Sequence, residues 1–575
     1  MKSKSHPLRI ALAQIDPVVG AFGSNIAQIV RFYERACALQ ARFLLTPELS
    51  ICGYPPHDLL DRADIVARCE QALHELAALT LGKSCALIVG HVARNPKATG
   101  RAIQNVVSVL QDGKEVFRQA KSLLPTYDVF DEARYFEPAQ EISLWDCDGV
   151  PVGIAICEDL WGADSAHGRQ IYGRSPVDEF ERLGAKLILS SSASPYEQGK
   201  RERREELHSD IARKLRAPLI YINQVGATDE VLFDGASFAV SSDGALLGRL
   251  PAFRNAFGCV EWDPAQSGQK ALHWVEPGSL EREDVAPQEI EVLRRALVCG
   301  IRDYFERTGF KKAVLGLSGG IDSAVIAVLA VEALGRENLL TVAMPSQYSS
   351  GHSLEDAEIL ARNLGVELRV KPIKFLFTAA LRDFSDGVGD LAPVAQENLQ
   401  SRLRALNLLA LSNHEGSLIL TTGNKSELAT GYCTLYGDMC GALAPIGDVL
   451  KTQVYDLARH LNQVHSGLIP ARILEKPPSA ELRPDQRDQD TLPPYPDLDE
   501  LLRAYLEEGQ TLAQLEERMG SRHPRAASGR SWVREVVRKL EINEFKRRQA
   551  APVLKVSSKA FGIGRRIPIA KTWDV

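Results

Sequence analysis

The sequence predicts two successive α/β domains, on three observations. Short apolar runs alternate with longer amphipathic segments through most of the first 250 residues. That alternation lapses between about residues 259 and 287, where Asp-Pro, Ser-Gly and Pro-Gly pairs accompany the acidic stretch Glu281, Arg282, Glu283, Asp284. It resumes with a strand, a Gly-rich turn and an apolar helix across residues 311–334. Strands alternating with helical patterns are the signature of parallel-sheet architecture.

In chain order, residues 10–13, 43–45, 86–89, 106–110, 152–156, 187–189 and 219–222 are strand candidates, and 25–40 and 202–215 read as helices. The expected organisation is a first domain over 1–270, a linker over 271–287 and a second domain over 288–575, with chain length alone suggesting two to four domains. The second domain opens on an amphipathic helix from Glu289, with Ile290, Val292, Leu293, Leu297 and Ile301 on one face. The Pro-rich stretch 476–496 reads as a mobile surface loop.

An apolar fraction of 45% and a charged fraction of 25% are those of a soluble globular protein. A net charge of −6 on 575 residues argues against nucleic acid held by bulk electrostatics. Residues 1–10 hold no apolar stretch and no uninterrupted apolar run reaches membrane-spanning length, so the expected location is cytoplasmic. Ten cysteines lie scattered without C-x-x-C spacing, which predicts reduced, structural thiols rather than a zinc site or disulfide framework.

In the first domain, Glu48 follows one strand candidate, Cys157 follows another, and Lys121 precedes an extended Leu123-Leu124-Pro125 segment. Strand ends in an α/β sheet converge on one edge, where sites form. A thiol can attack, a carboxylate can take its proton and pass it on, and an ammonium can stabilise an oxyanion. The segments Thr46-Pro47-Glu48-Leu49, Lys121 to Glu132 and Cys157-Glu158-Asp159-Leu160-Trp161 together resemble the three motifs of the nitrilase, or carbon-nitrogen hydrolase, superfamily. The resemblance implies Glu48 as general base, Lys121 as oxyanion-stabilising cation and Cys157 as nucleophile, on a four-layer α-β-β-α sandwich. It further implies that Tyr127, Glu158, Trp161 and Ser194 line the pocket of an amide substrate.

In the second domain, Ser318, Gly319, Gly320, Ile321, Asp322 and Ser323 sit between an apolar strand at 313–317 and an apolar helix at 324–334. Backbone N–H groups there and the positive end of the helix ask for an anion. The Walker P-loop fails: Gly316 and Gly320 lack its spacing and no Lys follows. The residues instead resemble the pyrophosphate-binding loop of the ATP pyrophosphatase superfamily, whose members cleave ATP between the α and β phosphates on a Rossmann-like parallel sheet. Asp322 and Glu427 are hard oxygen ligands whose pairing predicts Mg²⁺ on the polyphosphate. Lys451, near a predicted helix start, is suited to neutralise phosphate charge.

Residues 421–438, 397–402, 476–482 and 544–552 closely resemble the glutamine-dependent NAD synthetase family, so that the likeness spans both domains. It implies ATP at Ser318 to Ser323, Met344, Thr422 and Lys451, Mg²⁺ at Asp322 and Glu427, and deamido-NAD near Arg402, Glu427, Leu435, Asp438 and Lys546. Gln347 departs from the basic residue expected there. The activity implied is release of ammonia from glutamine in the first domain and its ATP-driven transfer to deamido-NAD in the second, through an ammonia channel, in a homo-oligomer with an octamer suggested by the same likeness.

Overall fold

The computed structural model describes residues 7–163, 171–275, 287–387, 389–523, 529 and 531–572, in two compact units, Met1–Pro287 and Gln288–Val575. Among them, no helix is long and apolar enough to cross a membrane.

The first unit runs β1 (Leu8–Gln14), α1 (Phe22–Ala38), β2 (Phe43–Leu45), α2 (Ala63–Leu79), β3 (Ala86–Arg94), β4 (Ile103–Gln111), β5 (Lys114–Ala120), β6 (Leu144–Cys147), β7 (Val150–Ile156), α3 (Pro176–Leu183), β8 (Leu187–Ser192), α4 (Lys200–Leu215) and β9 (Leu219–Asn223). It closes with β10 (Val225–Thr228), β11 (Val231–Asp234), β12 (Phe238–Val240), β13 (Leu246–Arg249), β14 (Ala256–Trp262) and β15 (Leu272–Trp274).

Two sheets result, in the orders β15-β14-β1-β2-β3-β4-β5 and β13-β12-β9-β8-β7-β6. Their facing sides share one core, in which Ile10, Leu12, Phe43 and Ile88 of one sheet meet Ile154, Ile156, Leu189 and Ile222 of the other. Alternate residues of β8 and β9, Ile188, Leu219 and Tyr221, point the other way and pack on Phe180 of α3 and Ile211 and Ala212 of α4. Since α1 and α2 cover the first sheet, the layers are helix, sheet, sheet, helix. The fully buried strands read as continuous apolar runs because both of their faces are covered.

All seven strand candidates are strands, most longer at one or both ends. The segment read as a linker needs correction. Leu272–Trp274 is the edge strand of the first sheet, with Val260 opposite Trp274. Three residues carry too little periodicity to mark a strand, and its place comes from partners ten or more residues away. Residues 276–286 of that segment, including the acidic stretch, lie outside the described residues.

The second unit runs α5 (Glu289–Thr308), β16 (Ala313–Gly316), α6 (Ile321–Leu334), β17 (Leu339–Ala343), α7 (Gly351–Leu364), β18 (Glu367–Val370), α8 (Lys374–Gly387), α9 (Pro393–Glu415), β19 (Leu418–Leu420), α10 (Lys425–Thr430) and α11 (Lys451–Val464). Helices α12 (Ala471–Glu475), α13 (Tyr495–Leu506), α14 (Leu512–Met519), α15 (Trp532–Ile542) and α16 (Glu544–Arg547) follow. Its sheet, β18-β17-β16-β19, is parallel at every pairing. The helical C-terminal part has its own core, in which Leu498, Leu501 and Leu502 meet Val533, Val536 and Leu540. The stretch 476–496 is held rather than loose: Gln400 donates to the Leu482 carbonyl at 2.9 Å, and Tyr495 donates to Asp488 at 2.8 Å. Its many prolines report extended backbone packed on neighbours, which composition does not distinguish from a mobile loop.

Candidate active sites

In the first unit the three reactive residues converge. Glu48 lies three residues beyond β2, Cys157 directly follows β7, and Lys121 directly follows β5, a strand the periodicity did not reveal. The Lys121 Nζ donates to Glu48 Oε1 at 2.7 Å, with both side chains no more than 1% exposed. Glu48 is held further by Asn105 Nδ2 at 2.6 Å and by the Ala193 N–H, just past β8, at 3.1 Å. A Cβ at Gly90 of β3 would stand 2.6 Å from the Pro47 carbonyl, so only Gly lets the Glu48 turn lie against that strand. Cys157, at φ +45, occupies the left-handed region, an uncommon conformation for a residue with a side chain, at the turn into a 3₁₀ segment, Cys157–Ala163.

Electrostatics follow from burial. Loss of water pushes the Cys157 thiol well up, and the neighbouring Glu48 charge adds to this against the pull of Lys121. Burial would lower the Lys121 ammonium, but the charges of Glu132 and Glu48 outweigh it and hold it well above its usual value. Glu132, whose carboxylate also meets Lys121 at 2.7 Å and accepts from Tyr54 at 2.8 Å, is pushed by burial up to about 7.

Of the residues expected to line an amide pocket, Tyr127 donates to both oxygens of the buried Glu158 at 3.0 and 2.9 Å, and Tyr172 adds a third bond at 3.0 Å. Trp161 lies under the ammonium of Lys200 at 5.5 Å. Ser194 is buried, its N–H bonded to Asn223 at 2.8 Å.

In the second unit the loop between β16 and α6 borders a cavity of about 310 Å³. Gly319 has φ +77, and a Cβ there would come within 2.2 Å of the Ser353 carbonyl. The hydroxyls of Ser318 and Ser323 lie 3.2 Å apart, and the Gly320 N–H donates to Ser318 at 3.2 Å. Asp322, on the first turn of α6, is met by Lys451 from the first turn of α11, and the same Nζ lies 3.6 Å from Glu427. Glu427 occupies the first turn of α10, in a capping box with Asn424. Burial pushes its carboxyl up to about 8, against Lys451 and reinforced by Asp322.

Ser318 to Ser323, Met344, Thr422, Glu427, Asp438 and Lys451 all border the cavity, whereas Arg402, Leu435 and Lys546 gather beside it. There Arg402 donates to the Leu435 carbonyl at 3.1 Å, and Lys546 donates to the Gly431 and Cys433 carbonyls at 2.7 and 2.8 Å. Asp438 accepts from the Thr434 N–H at 2.8 Å, closing the same loop.

Comparison with known proteins matches each unit to a family. Residues 9–270 match the carbon-nitrogen hydrolase family and residues 293–550 the NAD synthase family. The glutamine-dependent NAD(+) synthetase of Synechocystis sp. is 44% identical, over 98% of this chain and 99% of that protein. The chain belongs to the glutamine-dependent NAD(+) synthetase family. The synthetase of Thermotoga maritima is 38% identical, with 98% of each chain covered. The solved structure of the Acinetobacter baumannii synthetase in complex with ADP has a TM-score of 0.75 at 34% identity, over 98% of both chains.

Several residues around these two candidate sites are not marked in the sequence. Glu132 closes the motif that runs from Lys121, but its approach to Lys121 depends on a turn that periodicity does not reveal. Asn105 lies within a strand and carries no motif. In the second unit Arg404, which donates to the Met344 carbonyl at 3.1 Å, and Lys476 with Glu481, 2.6 Å apart, also border the cavity. Arg404 lies two residues past Arg402 on α9, a spacing that puts it on a different face, so helical periodicity offers no signal there.

Proposed function

We propose that the chain releases ammonia from glutamine at Cys157 and spends it on deamido-NAD, activated by ATP at the loop of Ser318 to Ser323. The observation that carries this reading is full-length membership of the synthetase family together with the buried Glu48, Lys121, Cys157 cluster.

In the first unit the thiol is protonated at rest, so Glu48 takes its proton as sulfur attacks the glutamine side-chain amide. Lys121 steadies the oxyanion, Glu48 returns the proton to the leaving nitrogen, and NH₃ departs. Water, deprotonated by Glu48, then hydrolyses the γ-glutamyl thioester to glutamate. The buried Glu158, held by two tyrosines, is suited to the substrate's ammonium, and Tyr127, Trp161 and Ser194 complete the proposed glutamine pocket.

In the second unit the nicotinate carboxylate of deamido-NAD attacks the α phosphorus of ATP, pyrophosphate leaves, and NH₃ displaces AMP to give NAD. Ser318 to Ser323, Met344, Thr422 and Lys451 bind ATP, while Arg402, Glu427, Leu435, Asp438 and Lys546 surround deamido-NAD. Among the described residues no cluster of three or more metal-binding side chains occurs. Two carboxylates plus phosphate oxygens are nonetheless what Mg²⁺ commonly uses. Asp322 and Glu427, sharing a single lysine, fit that donor set, and the Glu427 carboxyl, raised by burial and further by the nearby Asp322, would gain from a cation beside it. When bound, the ion would neutralise polyphosphate charge.

Free ammonia is mostly protonated in neutral water and then cannot attack, which favours a sheltered internal route. We further place the protein in the cytoplasm as a homo-oligomer, an octamer by family likeness.

The test is Cys157→Ala. Glutamine-dependent NAD formation should vanish while synthesis from added ammonia persists; unchanged use of glutamine would overturn the reading.

A further inference from the structure

Lys121 and Cys157 stand on different segments, each just past the last paired residue of a strand. β5 is paired as far as Ala120, and β7 as far as Ile156. Beyond those points the regular pairing stops, and Lys121 keeps a single bond to its neighbouring strand, from its N–H to the Asn105 carbonyl of β4.

One side chain bridges the two segments. Asp159 Oδ1 accepts from the N–H groups of Ser122 and Leu123, both at 2.9 Å, and Oδ2 accepts from the Ile156 N–H at 3.0 Å. Asp159 is 2% exposed, Ser122 7% and Leu123 3%. We propose that Asp159 is a positioning residue that sets the separation between the Lys121 ammonium and the Cys157 thiol. This rests on the roles proposed above for those two residues.

Three arguments support it. First, the three donors are the residue before Cys157 and the two after Lys121, so one rigid carboxylate ties both arms of the site to a single point. Second, buried backbone N–H groups require acceptors, and removal of this carboxylate orphans three at once. Third, Cys157 occupies the left-handed region, which a side-chain-bearing residue holds only where its surroundings over-determine it. The bond from Ile156 to Asp159 closes that turn directly. Burial raises the Asp159 carboxyl to about 6, opposed by its backbone donors, so near neutral pH it is the ionised, acceptor-only form.

The effect is local. The other side of Lys121 is anchored independently, its N–H donating to the Asn105 carbonyl at 2.8 Å and its carbonyl accepting from the Ala139 N–H at 2.8 Å. Loss of Asp159 therefore lets the two arms drift apart without removing that anchor.

The experiment compares wild type, Cys157→Ala, Asp159→Asn and Asp159→Glu in the full chain. It reads glutaminase kcat and KM, the rate of Cys157 alkylation by iodoacetamide, and ammonia-dependent NAD synthesis as an internal control. Misplacement by about 1 Å commonly costs on the order of 100-fold in rate. Asp159→Asn, which presents an N–H where a carboxylate oxygen accepted, should lower kcat by about 10- to 100-fold with KM within about threefold. Alkylation should slow, and synthesis from ammonia should be unchanged. Asp159→Glu keeps the charge but lengthens the arm, and should show the same split more weakly. Wild-type turnover in both variants overturns the proposal, as does a KM rise matching the fall in kcat. Collapse of the first unit in both, seen by circular dichroism, also overturns it, by assigning Asp159 to folding alone. If Cys157→Ala itself retains glutamine use, the underlying reading has failed instead.

Discussion

Asn424 donates its side-chain amide to Asp322 at 3.1 Å, joining residues 102 apart in the chain. The same side chain accepts from the Glu427 N–H at 3.1 Å, while the Glu427 carboxylate accepts from the Asn424 N–H at 3.2 Å. One residue thus orients both acids proposed to carry the metal, and it does so as the cap of α10.

Substitution separates these two duties. Asn424→Ala should destabilise α10 by about 1 kcal/mol and lower NAD synthesis at least about tenfold with either nitrogen source, leaving glutaminase intact. Asn424→Ser restores a cap but not the reach to Asp322, so thermal stability should return and activity should not. Recovery of activity in the Ser variant would mean that capping alone matters.

Glu427 gives a pH dependence with a definite sign. Its carboxyl is pushed up to about 8 from an ordinary 4.5, so below about 8 a cation must displace a proton to use it. Apparent Mg²⁺ affinity for ammonia-driven synthesis should therefore weaken as pH falls from about 8, approaching tenfold per pH unit. Without metal, the folded state binds more protons than the unfolded state between those two values, so this group's contribution to stability is present below 4.5 and lost as pH rises through about 8. Glu427→Gln should flatten both dependences; Mg²⁺ titrations at several pH values, with melting curves alongside, read them out. An equally steep Mg²⁺ dependence in the Gln variant would remove Glu427 from the metal.

Glu132 should prove as necessary as Glu48. The two acids share Lys121, and Glu132→Gln keeps the shape while removing one of the charges that hold the ammonium. Glutamine hydrolysis should fall on the order of 10- to 1,000-fold while ammonia-dependent synthesis survives. Full glutaminase activity in this variant would make Glu132 a packing residue.

How far such sites are legible in sequence depends on what carries them. Glu48, Cys157, Asp322 and Ser323 stand beside apolar strands, and strand ends can be read from composition. Glu132, Asn105 and Asp159 act through contacts made by irregular turns or mid-strand positions, where no periodicity marks them. The same holds for the fold. The buried parallel strands of the first unit and β16 are continuous apolar runs and are legible, whereas the antiparallel β5, with only Gln119 of its seven residues buried, and the parallel edge strand β18, with none buried, are not. Edge strands such as β15 exist because a partner strand exists, and a three-residue window does not contain the partner.

Gly319→Ala tests the loop directly. Its φ of +77 disfavours any side chain, and the added Cβ would meet a backbone carbonyl, Ser353 O, at 2.2 Å, which cannot swing away as a side chain would. The loop must therefore move. KM for ATP should rise at least about tenfold, a loss of roughly 1.4 kcal/mol in binding, with glutaminase unchanged. A normal KM for ATP would dissociate this turn from the nucleotide.

Assembly is testable through α8 and α9, which pack on one another yet bury few apolar side chains. Phe375 is 81% exposed, Val394 63% and Leu406 58%. Apolar surface of this kind, on a helix pair that itself carries Arg402 of the proposed dinucleotide site, fits a covered interface better than a bare one. Phe375→Asp combined with Leu406→Asp should lower the solution mass measured by light scattering, and should raise KM for deamido-NAD if the covering copy steadies α9. An unchanged mass would place the subunit contacts elsewhere, whereas a lower mass with unchanged kinetics would separate assembly from the site.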